Sequence, residues 1–299
     1  MQYRLLGRTG LSVSVIGLGT HQFSGEWAKQ FSEGDVSRIV GCAHELGINL
    51  IDTAECYGDH AVESFIGKSI RGKRDDWIVA TKFGHHYRSP SEKAGAWSPR
   101  AVLQQLEDSL KALNTGYVDI YQFHSGSNDD FDNDELWEML NGQVKLGKVR
   151  HLGISIAGEL TLRNDTHQLK RAGEVGASVI QTVYNRLKRE AEREILPFAE
   201  KAGLGAFARV PLAKGFLSGN YRPGTTFSKG DIRSTYSQEF NDELLRSVEE
   251  IKRAVPVGRN MAQWALAWCL KNPAVSSVLV GCKGKEQLEL NATAADLPI

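Results

Sequence analysis

The feature of this sequence that most restricts its fold is a regular alternation of short β-branched segments with longer amphipathic segments. Strands that are buried on both faces are short and mostly apolar, and a crossover helix leads from each one to the next parallel strand. The alternation therefore predicts parallel strands joined by helices. Eight strands are predicted, at Val15–Gly17, Asn49–Asp52, Ile78–Lys82, Val118–His124, His151–Ser155, Val179–Tyr184, Gly205–Arg209 and Ser276–Val280.

The amphipathic segments between these strands predict helices, several of which follow a Ser or Asp that can cap free backbone amides. They are expected at Asp35–Glu45, Ala61–Ile70, Pro99–Leu113, Asp134–Lys145, Glu159–Arg171, Glu192–Lys201 and Lys285–Ala294. Eight strand–helix units in 299 residues fit a (β/α)8 TIM barrel better than an open doubly wound sheet. Because no linker interrupts the chain, we interpret residues 1–299 as a single domain.

Two segments lie outside this repeat. Residues 3–13 predict a β-hairpin with a Gly-containing turn, and we expect it to plug the bottom of the barrel. The interval between the strand ends at residues 209 and 280 is unusually long, so a loop, Pro211–Asn241, is predicted after strand seven. Two helices, Glu243–Val255 and Met261–Lys271, are expected to follow it. In a TIM barrel such a loop lies on the active-site face.

Composition limits the kinds of partner. The chain has 36 basic and 36 acidic residues, so no net field draws it to nucleic acid or to an anionic membrane. The N-terminus lacks a signal-peptide pattern, and no apolar run approaches the ~20 residues of a membrane-spanning helix. The four cysteines are too scattered for a CxxC pair or a disulfide framework. We therefore expect a cytoplasmic protein without a nucleic-acid or membrane partner. We further expect it to bind a small molecule and to be a monomer or weak homo-oligomer.

Polar residues mark the ends of three consecutive predicted strands. Asp52 ends the second strand and Tyr57 follows it in the next loop, while Lys82 and His124 end the third and fourth strands. The carboxyl ends of parallel strands meet at one rim of a barrel, where active sites of this architecture lie. We therefore expect these four side chains to converge.

These residue types suit proton donation to a carbonyl oxygen. A free phenol with a pKa near ~10 is a poor acid at neutral pH, but an adjacent ammonium such as Lys82 lowers that pKa. Asp52 can pair with Lys82, and His124 can hydrogen-bond the substrate oxygen. Each residue alone also has a structural interpretation, because strand-end Asp and Lys often form ion pairs and a single His is usually only hydrogen-bonded. Their arrival at one rim favours an active site.

Several segments around these residues resemble signatures of the aldo-keto reductase family. They are Asp52-Thr53-Ala54-x-x-Tyr57-Gly58, Glu63, Ile66-Gly67-Lys68, Thr81-Lys82 and Gln122-Phe123-His124, and the similarity extends from the hairpin to Asn291. The resemblance implies an NADPH-dependent barrel enzyme that reduces an aldehyde or ketone. It also implies that Asp52, Tyr57, Lys82 and His124 are the four catalytic residues, with Tyr57 as the general acid.

The resemblance further implies where a nicotinamide cofactor binds. Ser155 and Gln181 match residues that hold the carboxamide, and Tyr184 matches the residue that stacks on the ring, although Ile156 replaces the usual asparagine. The segment after strand seven resembles a pyrophosphate-binding loop. Its expected contacts are Pro211, Leu212, Lys214, Gly215 and Leu217.

The last cofactor segment leads from strand eight into a helix whose N-terminus can bind an anion. It resembles the site for the adenosine 2'-phosphate of NADPH, with Lys283 at the phosphate and Gly281, Gln287 and Asn291 around the adenosine. Gln287 stands where many members carry arginine. The implied cofactor is NADPH, with weaker binding of NADH.

Four aromatic residues in predicted rim loops are expected to line an apolar substrate pocket: Phe23, Trp27, Tyr87 and Trp97. Any of them can instead pack a loop. His85 and His86 follow Lys82 and evoke the metal site of a barrel hydrolase, but such sites need several spaced histidines with carboxylates, so no metal is expected. Two alternatives therefore stay open. One is a nicotinamide-binding regulatory subunit such as a potassium-channel β subunit, and the other is a metal-dependent hydrolase.

Overall fold

A computed structural model of the chain describes residues 1–89 and 92–297, without the side chains of residues 86–89 and 92–94. The strands are β1 (Tyr3–Leu5), β2 (Ser12–Ser14), β3 (Ile16–Gly19), β4 (Leu50–Asp52), β5 (Ile78–Phe83), β6 (His85–Ser89), β7 (Glu92–Gly95), β8 (Val118–His124), β9 (Val149–Ser155), β10 (Ala177–Val183), β11 (Gly205–Arg209) and β12 (Val275–Val280). A closed barrel runs β3-β4-β5-β8-β9-β10-β11-β12, and β12 pairs with β3. The predicted (β/α)8 barrel is confirmed, and the ends of the eight predicted strands lie within two residues of the observed ones.

Helices surround this barrel. They are α1 (Glu33–Glu45), α2 (Ala61–Ser69), α3 (Pro99–Leu113), α4 (Asn128–Phe131), α5 (Asp134–Lys145), α6 (Gly158–Leu162), α7 (His167–Lys170), α8 (Ile195–Lys201), α9 (Gln238–Lys252), α10 (Met261–Leu270) and α11 (Lys285–Ala292). At the start of α3 the Ser98 hydroxyl accepts a hydrogen bond from the Ala101 amide at 3.3 Å, with Pro99 in the first turn. No helix in the described ranges is long and apolar enough to cross a membrane.

One predicted helix is broken in two. Residues 159–171 were expected to be continuous, but α6 ends at Leu162 and α7 begins at His167. Asn164 adopts a left-handed backbone with φ of 53°, a conformation that commonly ends helices. The carboxylate of Asp165 then accepts the His167 amide at 2.8 Å, so the chain restarts as a separate short helix.

The long loop after β11 ends earlier than predicted. The Ser237 hydroxyl accepts the Phe240 amide at 3.2 Å and so caps α9, which makes residues 238–241 helical rather than part of the loop. Within the loop, short 3-10 turns span Ala213–Ser218 and Ile232–Thr235.

The hairpin formed by β6 and β7 was not predicted. It follows β5 directly, and its strands pair antiparallel from His85 opposite Gly95 to Ser89 opposite Glu92. Most of its residues are polar or charged, so the segment lacks the apolar alternation that indicates a strand.

The hairpin formed by β1 and β2 plugs the bottom of the barrel, as predicted. Leu6 and Val13 are fully buried against the inward-facing residues of the barrel strands, namely Leu50, Ala80, Ile120, Val179, Phe207 and Leu279. Gly7, with φ of +51°, lies so close to β11 that a Cβ there would be 2.2 Å from the Gly205 nitrogen. Arg4 donates to the carbonyl oxygens of Val275 and Leu270 at 2.6 and 2.8 Å, which ties the plug to the last strand.

A buried carboxylate joins α2 to the barrel. Glu63 is fully buried, and its Oε1 accepts the Thr81 hydroxyl at 2.5 Å while its Oε2 contacts Nδ1 of His60 at 2.6 Å. Burial lowers the pKa of His60, but the hydrogen bond and charge of Glu63 outweigh burial and raise that pKa above the usual 6.5. The His60–Glu63 pair therefore stabilises the fold when His60 is protonated.

Glu63→Ala should lower the free energy of unfolding by about 3 kcal/mol, because it leaves the buried Thr81 hydroxyl and His60 without their partner. Since the folded pKa of His60 is raised, its contribution is complete below the unfolded pKa and disappears as the pH rises through the folded pKa. The difference from the parent should therefore shrink at alkaline pH. Urea unfolding at several pH values measures it. Glu33→Ala is the control, because Glu33 pairs with Lys68 at the exposed surface. A loss no larger than that of the control would contradict the assignment.

Candidate active site

The structure brings Asp52, Lys82 and Tyr57 together at the carboxyl end of the barrel. Nζ of Lys82 lies 2.9 Å from Oδ2 of Asp52, 2.6 Å from the carbonyl oxygen of Thr53 and 3.4 Å from the hydroxyl oxygen of Tyr57. Lys82 has no exposed surface, and Asp52 and Tyr57 are 5% and 9% exposed. A hydrogen-bonded chain from carboxylate to ammonium to phenol therefore ends at the edge of solvent.

The electrostatics of Tyr57 differ from the expectation. Burial raises the pKa of its hydroxyl well above the usual value, the Asp52 carboxylate raises it further, and Arg209 lowers it. The ammonium of Lys82 was expected to lower this pKa, but its charge is balanced by Asp52 at 2.9 Å. The phenol is therefore held in its protonated form, the form that can donate a proton.

His124 also lies near Tyr57. The two ring centroids are 6.3 Å apart with the rings nearly perpendicular. Nδ1 of His124 is 3.3 Å from Nδ1 of His85 and 3.8 Å from Sγ of Cys56. The four residues that the sequence grouped together therefore share one rim, although His124 has a separate set of neighbours.

An amide network links Asp52 to two residues expected at the nicotinamide. Gln181 donates to Oδ1 of Asp52 at 2.8 Å, and Gln122 contacts the same oxygen at 3.4 Å. The Ser155 hydroxyl donates to Oε1 of Gln181 at 3.4 Å. Ser155 and Gln181 are buried and belong to one polar network with the Asp52–Lys82 pair.

Tyr184 does not face this network, which corrects its expected role in stacking. Along β10, Gln181 points inward, whereas Thr182 bonds Thr161 of α6 and Tyr184 packs on the helical side of the barrel. The Tyr184 ring lies 5.2 Å from that of Trp268 in α10, and its hydroxyl donates to Glu192 at 2.6 Å. Covered on the outer side of the barrel, the ring is not placed to stack on a cofactor in the barrel mouth.

The inward-facing residue that sequence reasoning missed is Arg209, at the end of β11. Phe207, two residues earlier, points into the barrel interior, so strand alternation brings Arg209 to the same side near the mouth. Its Nη2 donates to the carbonyl oxygen of Ile156 at 2.9 Å, whereas its Nε is buried without a partner in the described part of the chain. Burial lowers the pKa of Arg209 below its usual value, and the nearby Asp52 carboxylate offsets this only in part. Among residues 1–89 and 92–297 it forms no ion pair, so a cation with a free donor faces the site.

The loop after β11 has an unusual backbone. Val210, Ala213, Lys214 and Gly215 all have positive φ, between 47° and 88°. Residues other than glycine adopt this conformation only at a cost, and such strained backbone occurs preferentially at ligand-binding sites. Pro211, Leu212 and Leu217, also expected to contact pyrophosphate, lie in the same turn. The Lys214 ammonium donates to the Tyr236 hydroxyl farther along the loop.

The same loop returns to the segment after β3. Trp27 and Asp231 form an antiparallel bridge, and the Ala28 amide donates to the carbonyl oxygen of Gly230 at 3.1 Å. The Lys283 ammonium donates to the carbonyl oxygen of Trp27 at 2.8 Å. Lys283, the residue expected at the 2'-phosphate, therefore contacts a strap, defined here as residues 26–28 and 230–232.

The predicted adenosine residues surround Lys283. Its amide donates to Oε1 of Gln287 at 2.7 Å, and Asn291 lies buried one turn farther along α11. Gly281 packs closely against the Gln22 side chain. A Cβ atom at Gly281 would lie only 2.7 Å from Oε1 of Gln22. The structure therefore places Gly281, Lys283, Gln287 and Asn291 along one edge of the barrel mouth.

The predicted pocket aromatics have different positions. Trp97 packs on Phe123 with ring centroids 4.5 Å apart, and it also contacts the His85 ring. Trp27 contacts His21, whose ring lies 4.8 Å from Tyr57; His21 was not predicted. Trp97 and Trp27 are therefore connected to the site through histidines. Phe23 is buried against Phe31, 5.0 Å away, and belongs to the loop core instead. The side chain of Tyr87 lies outside the described residues.

Comparison with known proteins places this geometry in a family. The model of the Aldo/keto reductase family matches residues 15–299. The chain belongs to the aldo-keto reductase family. The predicted resemblance is therefore confirmed, and the fold and family together support oxidoreductase activity.

Relatives of this aldo-keto reductase include both enzymes and channel subunits. It is 30% identical over 307 residues to a probable voltage-gated potassium channel subunit beta of Arabidopsis thaliana, covering 99% of this chain and 92% of that protein. It is 31% identical over 313 residues to the uncharacterized oxidoreductase YrpG of Bacillus subtilis, with 100% and 92% covered. The structure of aldo-keto reductase AKR11C1 from Bacillus halodurans, a holo form, superposes with a TM-score of 0.83 at 28% identity over 100% of this chain and 92% of that one.

Proposed function

We propose that this aldo-keto reductase uses NADPH to reduce an aldehyde or ketone to an alcohol, with Tyr57 as the general acid. The observation that carries the proposal is the buried chain from Asp52 through Lys82 to the Tyr57 hydroxyl, with Nζ of Lys82 3.4 Å from the phenol oxygen. A phenol at the barrel mouth can donate to a carbonyl oxygen, and the ammonium behind it can stabilise the phenolate that forms.

Several side chains of this protein contribute to proton transfer. NADPH, when bound, supplies the hydride to the carbonyl carbon. Tyr57 gives its proton to the carbonyl oxygen, and Lys82 stabilises the negative charge as it develops on the phenol oxygen. Asp52 and the Thr53 carbonyl hold Lys82 in position. His124 donates a hydrogen bond to the same substrate oxygen.

The residues present fit a nicotinamide dinucleotide. Arg209 Nε and Trp27 Nε1 are buried donors without partners among the described residues, and a bound phosphate or amide oxygen would satisfy them. Ser155 and Gln181 would hold the carboxamide, and the positive-φ turn around Lys214 would bind pyrophosphate through its amides. Lys283 would face the 2'-phosphate, with Gln287 and Asn291 near the adenosine.

Lys283→Ala should remove most of the preference for NADPH over NADH. A charged hydrogen bond to a 2'-phosphate contributes roughly 1.5–3 kcal/mol, which corresponds to about 10- to 150-fold in affinity. NADH has no such phosphate, so its binding should hardly change. Fluorescence titration of both cofactors into both proteins measures this effect.

Lys285→Ala is the matched control for this experiment. Lys285 lies two residues later, at the start of α11, and pairs with Glu289 at 3.5 Å. It should leave the ratio of the two affinities unchanged. Because Lys283 also holds the Trp27 carbonyl, an equal loss of affinity for NADPH and NADH would show that Lys283 supports the strap rather than the phosphate.

A second candidate function is a nicotinamide-binding regulatory subunit, favoured by the 30% identity to the plant protein described as a probable potassium channel subunit beta. A panel of aldehydes and ketones, with NADPH oxidation followed by absorbance, separates the two. Turnover supports the reductase. Tight NADPH binding without turnover across the panel would favour the regulatory role. Elemental analysis of the purified protein tests the metal-dependent hydrolase. Carbonyl reduction that persists after treatment with a chelator would contradict that alternative.

A further inference from the structure

Four potential metal ligands meet beside Tyr57. They are Glu55, Cys56, His85 and His124, and one ligand atom from each lies within 4.8 Å of all the others. Glu55 and Cys56 are buried, and the two histidines are half-buried. Three different strand-end segments supply them, so the barrel itself brings them together.

The separations resemble those around a tetrahedral zinc ion. Two imidazole nitrogens that bind one zinc at about 2.0–2.1 Å lie about 3.3 Å apart. Nδ1 of His85 and Nδ1 of His124 are 3.3 Å apart. A thiolate at about 2.3 Å from zinc lies about 3.6 Å from such a nitrogen, and Sγ of Cys56 is 3.8 Å from Nδ1 of His124. The two histidine nitrogens, and the Cys56 sulfur with the His124 nitrogen, thus have the spacing of zinc ligands.

The fourth group, Glu55, presents an unsatisfied carboxylate oxygen. Glu55 is 2% exposed, and its Oε2 is buried without a hydrogen-bond partner among the residues that the structure describes. That oxygen lies 3.9 Å from Nδ1 of His124, and a shift of about 0.6 Å would bring it to the separation of about 3.3 Å expected between two such ligand atoms around zinc. The other oxygen, Oε1, accepts the His85 amide at 3.0 Å and so orients the carboxylate. A buried carboxylate oxygen without a donor calls for a cation.

Neighbouring residues hold the backbone of this cluster in place, and a cleft connects the cluster to the surface. The buried Gln105 side chain holds the backbone of His85 on both sides, accepting from the Gly84 amide at 2.9 Å and donating to the His85 carbonyl at 2.8 Å. A cleft of about 540 Å³ lined by Glu55, His85, Asp59 and His60 leads from the surface to the cluster. The cluster therefore has a rigid backbone and an entry path.

We propose that Glu55, Cys56, His85 and His124 bind one Zn²⁺ ion, or another divalent metal of similar ligand preference. Nitrogen, sulfur and oxygen ligands in a tetrahedral set favour zinc over magnesium or calcium. A thiolate and a carboxylate would balance the two positive charges, so the buried site would be neutral. Cys56 releases its thiol proton when the metal binds.

Coordination through Nδ1 would fix the orientation of the His124 ring and leave only Nε2 to donate to a substrate oxygen. This consequence rests on the proposed function. Zinc should therefore change the rate of carbonyl reduction reversibly, and a chelator should restore the parent rate.

Cobalt titration of the chelator-treated full-length enzyme tests the site. Co²⁺ should bind at one equivalent and produce the charge-transfer absorption of a cobalt–thiolate bond, and Zn²⁺ should displace it. Cys56→Ser should lose that absorption, whereas Cys42→Ser, which changes another buried cysteine, should keep it. Glu55→Gln should weaken Zn²⁺ binding by about 10-fold or more, since changes even to groups behind metal ligands cost about 10- to 100-fold.

Three outcomes would overturn the proposal: no thiolate absorption with Co²⁺, the same absorption in Cys56→Ser, or parent-like Zn²⁺ affinity in Glu55→Gln. If Cys56→Ser does not fold, as judged by circular dichroism, Glu55→Gln decides, because its amide retains an oxygen that can accept the His85 amide. A chelated protein that binds zinc but reduces no carbonyl would contradict the proposed reductase function alone.

Discussion

Tyr57→Phe is expected to lower the rate of carbonyl reduction by about 100-fold or more, while NADPH affinity stays close to that of the parent. The substitution keeps the buried ring but removes the only group that it can use to donate a proton. Single-turnover measurements with saturating NADPH separate the chemical step from binding.

Tyr121→Phe is the matched control. Tyr121 is also fully buried in the barrel wall. Its hydroxyl, however, donates to the carbonyl oxygen of Val102 at 3.5 Å instead of contacting Asp52 or Lys82. The control should retain turnover within a few-fold of the parent. Near-normal turnover in Tyr57→Phe would contradict the assignment of Tyr57 as the acid.

Lys82→Met should nearly abolish reduction at neutral pH. Methionine keeps much of the side-chain length but removes the positive charge 3.4 Å from the phenol oxygen, so the phenolate forms without stabilisation. Because burial already raises the pKa of Tyr57, the effect of Lys82 falls on the transition state, where negative charge develops.

The same substitution leaves Asp52 buried without its ion-pair partner, which costs about 3–5 kcal/mol of folding stability. The double variant Asp52→Asn/Lys82→Met removes the unpaired charge and should recover most of that stability, as thermal melting would measure. It should remain as inactive as Lys82→Met. Recovered turnover in the double variant would show that Lys82 acts through stability rather than through its charge.

The barrel was predictable because its strands are short apolar runs between helices of regular length, a pattern that does not depend on any single residue. The N-termini of α3 and α5 were predictable for a local reason, since the side chains of Ser98 and Asn133 cap the first turns of these helices. The break near Asn164 was missed because a left-handed residue inside an amphipathic segment does not disturb its periodicity.

The site was predictable only where strand ends identify it. Asp52, Lys82 and His124 end their strands, and parallel topology brings them to one rim. Tyr184 was expected at the cofactor but packs outside the barrel, whereas Arg209 was not expected there but points inward. Both errors arose because a motif was followed instead of the inward–outward alternation of the strands. The raised pKa of Tyr57 depends on burial by distant segments, which the local sequence does not contain.

The closure of the barrel between β12 and β3 has a consequence during synthesis. One edge of the first barrel strand, at residues 16–19, can pair only after residues 275–280 have been synthesised. The hydrogen-bond acceptors of Arg4, the carbonyl oxygens of Leu270 and Val275, are also synthesised late. Until the ribosome has released nearly the whole chain, an apolar strand edge remains open to other chains. Truncation before β12 should therefore yield aggregates rather than a smaller soluble barrel, and folding should finish only after translation ends.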